Sequence, residues 1–185
     1  MVSSADVLTP VTWSVERYHQ MIEAGVLADR RVELLEGNIV EMPPVEPIHE
    51  DTGDELAAYL RSELGDRAKV REGKAITLLT SEPIPDIAVV ENIRYRSVHP
   101  LPHNIFLVIE IAQSRPARDI ETKQKIYAKA RIQDYWVVDL KQGHLRVFRE
   151  PEGDQYQGNT VWTQDTISPL AFPDLALKLS RIMAN

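Results

Sequence analysis

Residues 105–140 read IFLVIEIAQSRPARDIETKQKIYAKARIQDYWVVDL. The opening run, preceded by Asn104, is almost continuously apolar, the mark of a strand buried on both faces. DYWVVDL closes the stretch in the same way. Between them ARDIETKQKIYAKAR carries its apolar residues at helical spacing. Two buried strands joined by a helix imply a parallel crossover. The pattern predicts an α/β chain whose mixed central β-sheet is flanked by helices.

Glu110 contradicts its surroundings, since it interrupts the most apolar strand of the chain. Strand alternation puts it on one face with Phe106, Val108 and Ala112, and leaves Ile105, Leu107, Ile109 and Ile111 for the other. A carboxylate buried there costs about several kcal/mol unless it meets a cation or carries a proton. The next helix, read as starting at Asp119, offers the cation. Ile120, Lys123, Tyr127 and Ala130 share one helical face, so Lys123 points inward while Lys125 and Lys129 point to water.

Upstream, PDIAVVEN is a strand region entered through Pro85. It sets Asp86 at the sheet's rim, on a face with Ala88 and Val90. Two carboxylates on neighbouring strand ends suit a hard cation such as Mg²⁺. The same residues also fit a plainer reading, in which Glu110 and Lys123 are a buried ion pair and Asp86 is a capping acid.

Farther out, Thr12 reads as the cap of a helix whose stripe is Val15, Tyr18, Met21 and Ile22 and which stops at Gly25. RRVELLEGNIVEM reads as a hairpin turning at Gly37-Asn38, and Pro43-Pro44 ends it. A helix with Pro47 near its start turns Leu56 and Leu60 inward, and His49 with them. KVREGKAITLLT reads as a second hairpin around Gly73. The tail ends on an apolar stretch, LALKLSRIM. His19, His99, His103 and His144 are scattered without zinc-ligand spacing, and Tyr135 with Trp136 reads as core.

The composition fits one domain over residues 1–185, with 1–11 as a flexible N-terminal segment. The chain has no cysteine, which excludes disulfides, thiolate nucleophiles and cysteine-rich zinc sites and fits a reducing cytoplasm. MVSSADVLTPVTWS lacks the basic opening and long apolar core of a signal peptide, and the longest apolar stretch, Ile105 to Ile109, is too short for a membrane span. The net charge of −7 argues against a general nucleic-acid binder. From Glu110 to Arg131, however, six basic residues face three acids, a locally basic segment that a phosphate backbone could approach.

The ordered set VELLEGNIVEM, His49, PDIAVV, LVIEIAQS and DIETKQKIYAKARIQDYWVVDL resembles the Uma-two family of restriction-endonuclease-like proteins, within the PD-(D/E)XK nuclease superfamily. The resemblance runs from about Thr12 to the final apolar stretch. It implies a metal-dependent endonuclease, acting on DNA above all and using Mg²⁺, with Mn²⁺ as substitute. Asp86 matches the acid of the PD motif and Glu110 the acid of the second motif. The superfamily's E-x-K lysine is missing, because Ala112 stands there; in this family its role passes to the following helix, hence to Lys123. Glu33 matches a recurrent family acid, with Glu36 and Glu41 as neighbouring alternatives, and His49 and Tyr127 are further candidates. Ala130-Arg131 replaces the usual small-residue and Gly positions after the lysine helix. On this reading Asp86, Glu110 and the carbonyl of Ile111 hold the metal, and Lys123 serves the reaction. Arg115 and Arg118 contact the backbone of the nucleic acid. A homodimer, with the apolar C-terminal segment as interface, is the expected assembly. The rival from another class is a nuclease-like fold that no longer cuts and serves as a binding or assembly module. A glycoside hydrolase with paired carboxylates is a poorer fit, given the inward lysine and the few aromatics.

Overall fold

The structure, a computed structural model, describes residues 10–113, 117–163 and 166–183. The expected flexible segment 1–11 lies outside these except for Pro10 and Val11. In chain order the elements are α1 (Val15–Glu23), β1 (Val32–Leu35), β2 (Asn38–Glu41), α2 (Pro47–Leu64), β3 (Lys69–Glu72), β4 (Ile87–Val90) and β5 (Ile105–Ala112). There follow α3 (Ala117–Lys129), β6 (Asp134–Asp139), β7 (His144–Glu152), β8 (Gln155–Trp162), β9 (Thr166–Ile167), β10 (Leu177–Lys178) and α4 (Leu179–Ile182).

Strands β3 to β8 form one six-stranded sheet in chain order. Its neighbours run antiparallel except β5 and β6, which are parallel and joined through α3. This is the mixed, helix-flanked sheet expected from residues 105–140. One face packs Leu107, Ile109, Ile111, Trp136 and Val138 against α2 and the C-terminal segment. The other packs Val108, Ala112, Tyr135 and Val137 against α3. Each buried valine, leucine or isoleucine here stabilises the fold by roughly 1.5–3 kcal/mol, so the two faces of β5 and β6 contribute much of the core. No helix among the described residues is long and apolar enough to cross a membrane.

Several local expectations change. The register of β4 on β5 slips between Val89 and Val90, whose partners are Leu107 and Ile105. This bulge exchanges the faces of the first two residues of β5. Ile105 joins the α3 side, and Phe106 turns to the α2 side, edge-on to Phe172 at 5.4 Å. KVREGKAITLLT forms no hairpin. β3 pairs with β4 instead, while residues 76–82 leave the sheet, bury Ile76 and Leu78, and bridge Glu82 to Leu34. The first hairpin turns at Glu36-Gly37, one residue earlier than expected, with both φ values positive as a type I′ turn requires. Ser14, not Thr12, caps α1, because Trp13 precedes the helix and donates to the carbonyl of Gly37 at 2.7 Å. α3 begins at Ala117, two residues before Asp119.

The apolar C-terminal segment does not offer the expected dimer interface. Leu175, Leu177, Leu179 and Ile182 are buried in the chain's own core. At the other end of the crossover, Asp134 is fully buried and accepts from Trp136 Nε1, Arg149 Nε and Leu170 N, each at 2.8 Å. Burial pushes its carboxyl above the usual range, against the pull of these donors.

The helix α3 ends in a Schellman pattern, Ile132 N bonding Tyr127 O and Arg131 N bonding Ala128 O. Arg131 therefore occupies the left-handed position, φ +59, that glycine usually takes. An L-residue there costs roughly 1–2 kcal/mol. Arg131→Gly is expected to stabilise the protein by about 1 kcal/mol, a rise of about 2–4 °C in Tm for a chain of this size. Differential scanning calorimetry checks it, and a lower Tm would contradict the strain argument.

Candidate functional site

The antiparallel register pairs Ile87 with Ile109, which sets Asp86 level with Glu110. β4 begins at Ile87, so the ladder offers Ile111 N–H no strand partner at that level. The Asp86 carboxylate takes the place, its Oδ2 accepting from Ile111 N at 2.6 Å. The same oxygen lies 3.1 Å from His49 Nε2. His49 is in the first turn of α2, where Pro47 opens the helix, and the helix turns it inward as expected. Asp86 therefore leans toward α2 and not onto the face of Ala88 and Val90, because alternation lapses where the strand ends. Around it is a cleft of about 320 Å³, lined among others by Arg31, His49, Asp54, Glu72 and Ile111.

Glu110 points the other way, toward α3. Lys123 Nζ lies 3.1 Å from Glu110 Oε1 and 3.1 Å from Glu33 Oε2. Tyr127 donates its hydroxyl to Glu110 Oε1 at 2.7 Å, and Ile84 N donates to Glu33 Oε2 at 3.0 Å. Lys123 and Glu110 are each only 2% exposed and Tyr127 is fully buried. Burial first, and the Glu110 charge second, hold the Tyr127 phenol well above its ordinary pKa, so it stays protonated and donates. The helical spacing of Ile120, Lys123 and Tyr127 thus delivers the inward lysine it promised. Of the three candidate acids in the hairpin, Glu33 is brought to Lys123. Glu36 pairs with Lys129 at the surface, and Glu41 with Arg30 at 3.7 Å. Arg115 lies outside the described residues, as does the side chain of Arg118.

A third cluster escaped the sequence reading. His19 Nε2 lies 2.8 Å from both oxygens of Glu82, and His99 Nε2 lies 3.8 Å from Glu82 Oε1. Among the described residues this is the group of three ligating side chains whose donor atoms all fall within 4.8 Å of one another. Glu82 is buried and both histidines are half-exposed. Burial lowers the pKa of His99, more than the nearby Glu82 raises it. The cluster can hold a metal ion, yet its cleft shares no lining residue with the cleft at Asp86. Spacing could not have found it, because α1, residue 82 and residue 99 are remote in sequence. The available hint was that His19 stands one helical turn after Val15, which begins the apolar stripe of α1.

The segment Glu82-Pro83-Ile84-Pro85-Asp86 links all three clusters. Glu82 belongs to the histidine cluster, Ile84 N–H holds Glu33, and Asp86 caps Ile111.

The family described as "Uma2: Putative restriction endonuclease" matches residues 15–180. A crystal structure from Anabaena variabilis, described as "a putative nuclease belonging to DUF820", superposes with a TM-score of 0.77. It is 17% identical, over 95% of this chain and 98% of that one, a likeness of fold. No curated protein matches the chain.

Removing the lysine from the buried cluster strands two carboxylates, so Lys123→Met is expected to destabilise the fold by about 3–5 kcal/mol. Tyr127→Phe removes one hydrogen bond to a charged group and is expected to cost about 1–3 kcal/mol. Urea unfolding of the two variants checks the order. A Lys123→Met variant as stable as wild type would show that the ammonium does not hold the acids.

Proposed function

Because the chain belongs to the Uma2 family, we propose that it is a metal-dependent endonuclease hydrolysing phosphodiester bonds, with DNA as the first substrate to test. The observation that carries this reading is the placement of Asp86, Glu110 and Lys123 at one level of the sheet, Asp86 on its α2 side and Glu110 with Lys123 on its α3 side. Asp86 and Glu110 stand at the same level of neighbouring strands, and Lys123 reaches Glu110 from the following helix. Ala112 follows Glu110 by two residues and shares its face, packed on the α3 side. A lysine at position 112 would point to the side from which Lys123 arrives, which supports α3 as the lysine's new origin.

The donor set fits a hard cation. Asp86, Glu110 and the Ile111 carbonyl offer only oxygen, which suits Mg²⁺ or Mn²⁺. Such an ion would supply Lewis-acid polarisation of the phosphodiester and a more acidic water. The chain's own residues do the rest. His49 and Ile111 N–H fix the Asp86 carboxylate. Tyr127, protonated, fixes the Glu110 carboxylate, and Glu33 holds Lys123 beside it. Lys123 brings positive charge to offset the charge that grows on the phosphorane. Arg115 and Arg118, between Glu110 and Lys123 in sequence, are the basic side chains for the phosphate backbone. A homodimer is the arrangement that would bring two such sites to a duplex.

One observation favours the second reading, a binding or assembly module that does not cut. Glu110 and Lys123 are buried against each other, and Lys123 is shared with Glu33. Plasmid nicking decides between them. Wild type is expected to nick with Mg²⁺ or Mn²⁺ and to stop with a chelator. Asp86→Asn, at the rim and least risky for folding, is expected to lose on the order of 100-fold or more. Calorimetry with Mn²⁺ on wild type and Glu110→Gln tests the ligand set, binding being expected only in wild type. Nicking that is absent in wild type, or unchanged in Asp86→Asn, rejects the assignment.

A further inference from the structure

We propose that His19, Glu82 and His99 form a second metal site, selective for an ion of the zinc class and separate from the Asp86–Glu110 region. Two imidazole nitrogens, which are borderline donors, beside one carboxylate suit Zn²⁺ and its neighbours rather than Mg²⁺. Three protein ligands with a fourth position left to solvent is the pattern of an open zinc site. The cluster faces a cleft of about 420 Å³, with Thr77, Tyr95 and Arg96 in its wall, which leaves room for that fourth ligand.

The site is built before the ion arrives. Glu82 is held at its backbone, its N–H donating to Leu34 O at 2.7 Å, and at its side chain, where Thr77 Oγ1 donates to Oε2 at 2.7 Å. Thr77 N in turn donates to Pro100 O at 3.0 Å, which brings the His99 segment alongside. Such supporting bonds orient a ligand carboxylate. Tetrahedral zinc at its usual bond lengths needs donor atoms about 3.3 Å apart. The observed 2.8 Å and 3.8 Å to Glu82 Oε1 bracket that value, and all three donor atoms lie within 4.8 Å of one another. A bound ion would join α1, the Glu82 segment and the His99 segment, three parts of the chain that are remote in sequence.

This inference does not rest on the nuclease reading, and its test separates the two. Zinc chloride is titrated calorimetrically into metal-free full-length wild type, His19→Ala, His99→Ala and Asp86→Asn, with Tm recorded with and without zinc. One ion per chain is expected in wild type and Asp86→Asn, undiminished by excess Mg²⁺. Affinity is expected to fall at least about tenfold in each histidine variant, on the scale of losing a metal's supporting contacts, with the zinc-induced rise in Tm. His99→Ala is the cleaner variant, because His99 makes the longer approach to Glu82 and its loss leaves the His19–Glu82 pair in place. No zinc binding by wild type, or unchanged affinity in His99→Ala, overturns the proposal. Binding lost in Asp86→Asn and kept in His99→Ala would move the zinc to the other region and overturn it equally.

Discussion

The ammonium of Lys123 lies between two buried carboxylates, 3.1 Å from each. One belongs to the hairpin, one to the central strand β5, and the lysine itself to the crossover helix. Apolar packing alone would let the hairpin slide on the sheet, since hydrophobic burial has no direction. Paired charges in a dry interior do have direction, because each loses its compensation when the geometry fails. The hairpin stands outside the six-stranded sheet, and polar bonds do much to hold it there: the Leu34–Glu82 bridge, Gly37 N to Thr80 O at 2.9 Å, and Glu33 to Lys123. Its place on the molecule is therefore specified by few contacts of high precision.

Burial of an acid does not by itself mark a site. Asp134 is more deeply buried than Asp86 and is saturated by a tryptophan, an arginine and a backbone amide. It joins β6, β7 and the 168–170 segment, a structural duty. Asp86 differs in holding a backbone N–H at a strand end beside a cleft, with a histidine at its back. What separates the two acids is access to a cleft.

The crossover and the inward lysine were legible in the sequence because both rest on periodicities that tertiary contacts reinforce. Glu110 stood out for the same reason, as a charge in an apolar run. The features that were not legible lie where periodicity stops. The bulge at Ile105-Phe106, opposite Val90, swaps two side chains between faces, and no composition signals it. Asp86 turns toward α2 because it sits one residue before its strand, where alternation has no hold. KVREGKAITLLT has the local texture of a hairpin, but pairing of β3 with β4 and burial of Ile76 and Leu78 in the core on the α3 side outweigh it. The His19–Glu82–His99 cluster is a product of tertiary folding alone.

The stretch Glu82-Pro83-Ile84-Pro85-Asp86 is short, extended and twice fixed by proline, whose ring locks φ near −65° and removes the N–H. Its one interior donor, Ile84, goes to Glu33. The segment thus works as a ruler with marks at 82, 84 and 86. Surface connections ordinarily absorb insertions and deletions, but here one added or lost residue would knock at least one mark off its partner. Through evolution or engineering, this chain can vary the identity of many surface positions more freely than it can vary the length of these five residues.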